Sequence, residues 1–451
     1  MDFVNIATIL FYELKQKKEE GCDIEQFADR FQELVGDIPA SKFIKFEEVS
    51  TEINEEQLEE LYKEVTNLES CDKGYKEPFT FQDISNLSPG KLVQISHSGL
   101  DLKDKIYGAW QGRCAGCLLG KPVEGWGKAQ IEDYLKKAGE YPLRNYFPKP
   151  VSDEFANYLH QESAGALRGH ITHMVRDDDI DYPILNLNVL EKFGKSFTSK
   201  DVASVWLQNL PYEKTYTAER VAYKNFINGI WPPESGRYYN PYREWIGAQI
   251  RGDVFGWVNP GNPRAATEMA YRDAIISHRK NGIYGEMFVA AATSIALVLD
   301  TNKVIDVIET GLSVVPQDSR FAIALRNTIK WAVADKDWEQ TFTKVMDNYG
   351  KYHFVHTINN AAIVVLSLIH GNGDYEKSIS IAVMCGFDTD CNGATTGSII
   401  GALSGAHQLP DKWIRSLNNR VDSLIINDSR VSISDLADRT VSLVQSIGRA
   451  G

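Results

Sequence analysis

The sequence lacks an excess of basic residues. It contains 48 lysines and arginines against 61 aspartates and glutamates, which gives a net charge of −13 at pH 7. Proteins whose main partner is a nucleic acid usually carry a basic surface that faces the phosphate backbone. The charge balance therefore argues against nucleic acid as the main partner, and it is compatible with cation binding.

Long hydrophobic runs and a disulfide framework are also missing. The most apolar segments, 285–300 and 359–371, are shorter than a membrane span. The N-terminus has no basic segment ahead of its short apolar run, so it does not resemble a signal peptide. The six cysteines are scattered, which is typical of reduced thiols. We therefore expect a soluble cytoplasmic protein with no membrane partner.

Segments with the alternating pattern of β-strands are nearly absent, as are the P-loop, the GxSxG elbow and the dinucleotide-binding glycine motif. From residue 104 onward, alanine- and glycine-rich helical segments are joined by loops, and no repeat period is evident. The preceding residues instead form charged amphipathic segments without a chemical motif. The sequence predicts an all-α protein with an N-terminal helical appendage (1–95) and a main all-α domain (96–451).

Two short acidic segments are candidates for a metal site. In GFDTDCNG, Asp388 and Asp390 lie between glycines at the start of an apolar, small-residue helix. One aspartate suffices to cap a helix, and for this segment alone capping and metal binding are equally consistent with the sequence. In RDDDIDY, Asp177, Asp178 and Asp179 precede an apolar amphipathic stretch. The ordinary alternative is a solvated acidic loop, but three adjacent carboxylates on a packed helix repel one another unless a cation neutralises them.

The two segments explain each other if they meet around hard divalent cations. Oxygen ligands select Mg²⁺, Mn²⁺ or Ca²⁺ over zinc. About five or six carboxylates exceed what one Mg²⁺ needs. The residues alone therefore predict a site for one or two such ions, with Mg²⁺, Mn²⁺ and Ca²⁺ as the alternatives.

Other motifs are individually weak. Glu124 follows a Gly- and Pro-rich turn; such a glutamate is usually solvated, but facing the metal site it would be a ligand or an acid/base. The loop 250–263 is rich in Gly, Pro and Asn, and either folds against a ligand ring or phosphates or is an ordinary long turn. A single histidine such as His278 is more often structural than catalytic. Cys114 and Cys117 are interpreted as small packing residues of a helix.

Taken together, these motifs resemble those of the ADP-ribosylglycohydrolase family. The segment GFDTDCNGATTGSIIGALSGAHQLPDKW is similar to the family's C-terminal motif, G-G-D-T-D-T/S-N-A followed by a small-residue helix. GAWQGRCAGCLLGKPVE resembles its opening helix, RDDDIDY stands where its T-D-D motif belongs, and ISHRKNGIYGEMFVAA resembles its Ser/Thr-His segment followed by Tyr-Gly. The matches cover about residues 104–415 in the family's order.

The resemblance implies a compact orthogonal helical bundle with a binuclear metal cleft that holds two Mg²⁺ ions. It also implies hydrolysis at C1″ of ADP-ribose attached to a protein side chain or to a small molecule. The metal ligands implied are Asp177, Asp178, Asp179, Asp388, Asp390 and Cys391. The catalytic acid/base implied is Glu124, with Asp179 as the alternative. The substrate contacts implied are Gly252, Asp253, Phe255, Gly256, His278, Tyr284 and Gly285.

Three residues depart from the family's pattern. Asp177 stands in a threonine position, Cys391 in a threonine or serine position, and Cys117 where an aspartate is usual. Mg²⁺ disfavours thiol ligands, so Cys117 and Cys391 make the binding of a second Mg²⁺ ion less favourable. Three other functions are consistent with the motifs: a non-catalytic binder of ADP-ribose or a nucleotide, a hydrolase of another N-riboside, and a two-metal phosphohydrolase.

Overall fold

The computed structural model confirms the all-α architecture, and it describes residues 2–47, 54–68, 74–89, 94–159 and 163–449. The helices of the first hundred residues are α1 (Ile6–Glu19), α2 (Glu25–Val35), α3 (Ala40–Ile44), α4 (Glu55–Thr66) and α5 (Phe81–Leu87). The following helices are α6 (Leu102–Gly120), α7 (Lys128–Lys137), α8 (Asp153–Tyr158), α9 (Asp178–Phe193), α10 (Ser199–Asn209), α11 (Thr217–Ile227), α12 (Asp253–Trp257), α13 (Pro263–Ala274) and α14 (Asn281–Ala296). The last are α15 (Val304–Leu312), α16 (Arg320–Ala334), α17 (Trp338–Tyr349), α18 (Thr357–Gly371), α19 (Tyr375–Met384), α20 (Thr389–Ser404), α21 (Asp411–Ile414) and α22 (Ile433–Arg449). Within these ranges the one sheet pairs β1 (Arg420–Asp422) with β2 (Arg430–Ser432), antiparallel, with Val421 opposite Val431.

Helices α14 and α20 lie at the centre of the main core, and every residue of both is buried. Helix α20 packs against α6, α14, α18 and α19. Such all-round burial requires helices that are apolar or small on every face, which explains the alanine- and glycine-rich texture of the sequence. No helix among the described residues combines the length and the apolarity that crossing a bilayer would need.

The N-terminal helices have an apolar cluster of their own. Phe27, Phe31, Phe43, Leu58 and Leu61 from α2, α3 and α4 pack there with residues of α1. The amphipathic spacing of these segments therefore serves a local core.

Buried ion pairs attach this region to the main body. Arg243 binds Glu13 of α1 at 2.7 Å and Glu20, which directly follows α1, at 3.0 Å. Arg320 binds Glu77 at 2.7 Å. Ile84 of α5 packs in the main core, so the domain boundary at residue 95 stays a prediction.

The contact between the two parts contains a buried histidine that should make the protein sensitive to acid. The His353 ring stacks on Trp245, with ring centroids 4.2 Å apart and an interplanar angle of 9°, and it meets the Tyr12 ring of α1 edge-on. Burial lowers the pKa of His353 to about 3. Below its ordinary pKa of about 6.5, the unfolded chain binds a proton that the folded protein excludes, so stability is lost as the pH falls from about 6.5 toward 3.

We expect His353→Phe to keep the stacking on Trp245 and to remove the one proton that the unfolded chain binds at this side chain. The slope of the free energy of unfolding against pH, measured by urea titration between pH 6 and 4, should decrease by about 1.4 kcal/mol per pH unit. The exposed His170, changed to Gln, provides the control. An unchanged slope in His353→Phe would contradict the assignment.

Candidate metal centre

Helices α6 and α20 cross in direct backbone contact. Glycines recur every four residues on both helices and face one another: Gly108, Gly112, Gly116 and Gly120 on α6, and Gly393, Gly397 and Gly401 on α20. A Cβ atom on Gly116 would lie 2.0 Å from the carbonyl oxygen of Gly393, which is too close for any side chain, so only glycine fits at this position. Because the helices run antiparallel, this crossing brings the end of α6 beside the start of α20.

A short backbone pairing joins the turn after α6 to the turn before α20. The Gly125 N–H donates to the Phe387 carbonyl at 2.9 Å, and the Phe387 N–H donates to the Trp126 carbonyl at 2.9 Å. Phe387 has φ of 69°, a left-handed conformation that is costly for an aromatic residue. The pairing holds that conformation and so fixes Asp388 next to Glu124.

The two acidic helix starts differ in how their carboxylates are used. Asp177 caps α9, since its Oδ1 accepts a hydrogen bond from the Asp179 N–H at 3.0 Å. Asp388 precedes α20 but makes no side-chain capping bond. Asp177 therefore acts as a helix cap, whereas the Asp388 carboxylate is not used to cap α20.

The acidic segments meet, as the sequence predicts. Three groups of side chains each place their ligand atoms within 4.8 Å of one another. The groups are Glu124 with Asp388 and Asp390, Asp179 with Asp390 and Cys391, and Cys117 with Asp177 and Asp179. Asp178 belongs to none of them, but it is half-buried at the same helix start. Helices α6, α9 and α20 therefore converge on one acidic centre.

Burial and mutual repulsion favour a proton or a cation in this centre. Burial raises the pKa of Asp388 well above its usual range, and the Asp390 and Glu124 carboxylates raise it further. The pKa of Glu124 is raised well above its usual range by burial and then by Asp390 and Asp177. Burial, followed by the charge of Asp177, raises the pKa of Asp178 to about 7. The repulsion among these buried carboxylates is relieved when a proton or a cation lies between them.

Three functional residues of this centre were not predicted as such: Arg113, Cys117 and Lys121. The Lys121 ammonium lies 2.7 Å from Asp177 Oδ2, and it holds the pKa of Asp177 below its usual range against the opposing effect of burial. Arg113 binds Asp179 Oδ1 at 3.2 Å. The sequence indicates this grouping, because residues 113, 117 and 121 are spaced by four. They therefore lie on one face of α6 and of the turn that directly follows it.

Asp253 contacts the acidic centre indirectly, through Arg113. It binds Arg113 at 2.9 Å, on the opposite side of the guanidinium from Asp179, and it accepts a hydrogen bond from Ser398. Both Asp253 and Arg113 are fully buried. Asp253 therefore positions Asp179 through Arg113.

The other residues predicted to contact the substrate lie in helix packing. Phe255 stacks on Phe197, with centroids 5.5 Å apart. His278 is buried, with its Nδ1 2.8 Å from Ser277 Oγ, and Tyr284 donates to the Pro78 carbonyl. Three glycines permit close approaches: Gly252 to Glu286, Gly256 to Thr293, and Gly285 to Thr357. Their role as substrate contacts stays a prediction.

The donor sets differ in the metals they suit. Glu124, Asp388 and Asp390 offer only carboxylate oxygens, which fit Mg²⁺ or Mn²⁺. The other two groups each include a thiol, Cys391 or Cys117, which a hard cation disfavours. Burial raises the pKa of both thiols well above the usual range, so they are held protonated. The oxygen-only group is thus the one that fits the expected ion.

Comparisons with known proteins agree with this architecture. The family model described as ADP-ribosylglycohydrolase matches residues 98–449. An uncharacterised protein of Archaeoglobus fulgidus is 23% identical over 322 residues, which cover 71% of this chain and 93% of that protein. A solved structure titled "ADP-ribosylglycohydrolase-related protein complex" shares the fold, with a TM-score of 0.50 and 19% identity over 77% of this chain and 99% of that chain. With its acidic centre at the crossing of α6 and α20, this chain belongs to the ADP-ribosylglycohydrolase family.

Proposed function

We propose that the protein is a divalent-metal-dependent glycohydrolase that cleaves the C1″ bond of ADP-ribose attached to a protein side chain or to a small molecule. The observation that carries the proposal is the convergence of Glu124, Asp388 and Asp390 within 4.8 Å. Family membership supports glycohydrolase chemistry in general. Mg²⁺ is the metal we propose, and Mn²⁺ is the alternative, because the three donors are hard oxygens.

The two aspartates would hold the ion, which supplies Lewis-acid chemistry and a fixed positive charge for the vicinal hydroxyls of a ribose. Positive charge develops on the sugar as the glycosidic bond breaks. Asp178 is the carboxylate of this segment best suited to stabilise that charge electrostatically, because Asp177 and Asp179 are already paired with Lys121 and Arg113. Its partial burial strengthens this effect because less water surrounds it.

Glu124 is the side chain best placed for acid/base catalysis. It is half-exposed, so a substrate can reach it, and burial together with the neighbouring carboxylates raises its pKa above the usual range, which favours a proton donor. Asp179, the alternative, is fully buried and its carboxylate is bound by Arg113. We therefore assign the acid/base role to Glu124 and a positioning role to Asp179.

A product assay tests the proposed reaction. Proteins ADP-ribosylated on arginine or serine, free nucleosides and ADP-ribosylated small molecules are incubated with the protein and Mg²⁺, and the products are identified by mass spectrometry. We expect release of free ADP-ribose and its loss in EDTA, whereas release of ribose from free nucleosides alone would identify a hydrolase of another N-riboside. Release of inorganic phosphate, full activity in EDTA, or ligand-induced thermal stabilisation without hydrolysis would each contradict the proposal.

Glu124→Gln is expected to lower kcat by about 10²–10⁴-fold, because a positioned proton donor contributes that much to a bond cleavage. KM should change little, since glutamine keeps the size of the side chain and one oxygen ligand. Steady-state kinetics on the substrate identified above provide the measurement. Glu132→Gln, on the neighbouring helix α7, is the matched control and should retain full turnover. Normal kcat in Glu124→Gln would transfer the acid/base role to another group.

A further inference from the structure

Lys121 places a buried positive charge inside the acidic centre. The residue follows α6 directly, and only 3% of it is exposed. Its Nζ lies 2.7 Å from Oδ2 of Asp177, which is 1% exposed. Lysine is almost never buried to this extent without a charged partner. Here the partner is the aspartate that stands in the family's threonine position.

The centre therefore has two unequal halves. In the half formed by Asp177 and Asp179, both carboxylates already bind a cationic side chain, Lys121 and Arg113 respectively. In the other half, Asp388 and Asp390 form no ion pair with any residue in the described part of the chain. Fixed protein cations thus pair directly with one half, whereas Lys121 acts on Asp390 in the other half only through its charge, without an ion pair.

The ligand atoms show the same division. Next to Lys121, the group of Cys117, Asp177 and Asp179 contains a thiol, and so does the group of Asp179, Asp390 and Cys391. A divalent ion at either position would lie beside a thiol, which Mg²⁺ avoids, and next to the positive charge of Lys121 or Arg113. The group of Glu124, Asp388 and Asp390 contains no thiol, and Asp388 and Asp390 have no ion-pair partner among the described residues.

We propose that the Lys121 ammonium takes the place of a second divalent ion, so that the centre binds one ion, held by Asp388 and Asp390 beside Glu124. The substitutions are mutually consistent: an aspartate replaces the threonine and supplies the lysine's counter-charge, while Cys117 and Cys391 stand where the family has oxygen-bearing side chains. The inference rests on the proposed function for the presence of a metal, and it concerns the number of ions.

Counting bound Mn²⁺ tests this inference without an activity assay. The full chain is freed of metal and titrated with Mn²⁺, with bound ions counted by equilibrium dialysis and their coupling examined by electron paramagnetic resonance. We expect one equivalent and the spectrum of an isolated ion. Two equivalents with an exchange-coupled spectrum would overturn the inference and leave the proposed function standing. No bound Mn²⁺ would overturn both.

Removing the ammonium provides the second measurement. Lys121→Met keeps an unbranched side chain but leaves Asp177 without a counter-charge, so we expect a second Mn²⁺ to bind and the count to rise from one to two. The double variant Lys121→Met/Asp177→Asn should return to one, because it removes the carboxylate that would attract the second ion. Lys128→Met, which removes a lysine paired with Glu132 on α7, is the control and should stay at one. A count of one in Lys121→Met would show that Lys121 does not exclude the second ion.

Discussion

The double variant Asp388→Asn/Asp390→Asn is expected to fold normally, to lose metal binding and to lose glycohydrolase turnover by at least about 10³-fold. These carboxylates repel each other in a buried site, as the raised pKa of Asp388 indicates. Asparagine keeps their size and removes the repulsion, so the metal-free protein should be no less stable than the wild type. Its response to metal should disappear.

Thermal unfolding with and without Mg²⁺ separates the two effects. Wild-type protein should gain about 2.7 kcal/mol of stability at a metal concentration 100-fold above Kd, whereas the double variant should gain nothing. A control with the same loss of charge uses two exposed acids, Glu309→Gln/Asp411→Asn, and should behave as the wild type. A metal-induced gain in the Asp388/Asp390 variant would refute their assignment as ligands.

Gly116→Ala should cause a large loss of stability from one added methyl group. The new Cβ would lie 2.0 Å from the Gly393 carbonyl oxygen, a backbone atom that cannot rotate away. Helices α6 and α20 would have to separate, at a cost of about 3 kcal/mol for overpacking. Glu124 lies in the turn after α6, and Asp388 and Asp390 lie at the start of α20. A displacement of about 1 Å between the helices should therefore also lower kcat by about 10²-fold.

Urea unfolding and steady-state kinetics measure both effects in Gly116→Ala. Gly127→Ala is the matched control, since no atom lies within 4 Å of its new Cβ and its backbone is extended, with φ of −80°. That variant should stay within about 0.5 kcal/mol of the wild type. Equal stability of the two variants would show that the helix crossing does not depend on glycine.

Much of the centre could be predicted because acidic clusters and small-residue spacing are local patterns. Asp177, Asp179, Asp388 and Asp390 carry their signal in a few adjacent residues, and one packed centre is the natural way to relieve the repulsion within each segment. The all-α architecture followed equally from the absence of alternating segments, and the structure bears it out.

The remaining features depend on tertiary contacts. Cys117 reads as a packing residue in the sequence, and only the packing of α6 against the start of α9 places it beside Asp177 and Asp179. Asp253 and His278 belong to segments that resemble substrate-binding motifs, yet Asp253 binds Arg113 and His278 is enclosed. A sequence motif identifies a residue type, whereas the direction of its side chain is set by how the helices pack.

The glycine contact between α6 and α20 leaves their relative position under-determined. Because glycines repeat every four residues on both helices, a slide of one repeat, about 6 Å, would again place glycine against glycine. Such a slide would carry Lys121 and Glu124 a full repeat away from Asp388. The glycine faces alone therefore permit several alignments, and contacts at the helix ends select one, among them the hydrogen bonds from Gly125 to Phe387, from Phe387 to Trp126 and from Thr389 to Gly120. The two short turns that carry Glu124 and Asp388 thus also help to set the alignment of the two core helices.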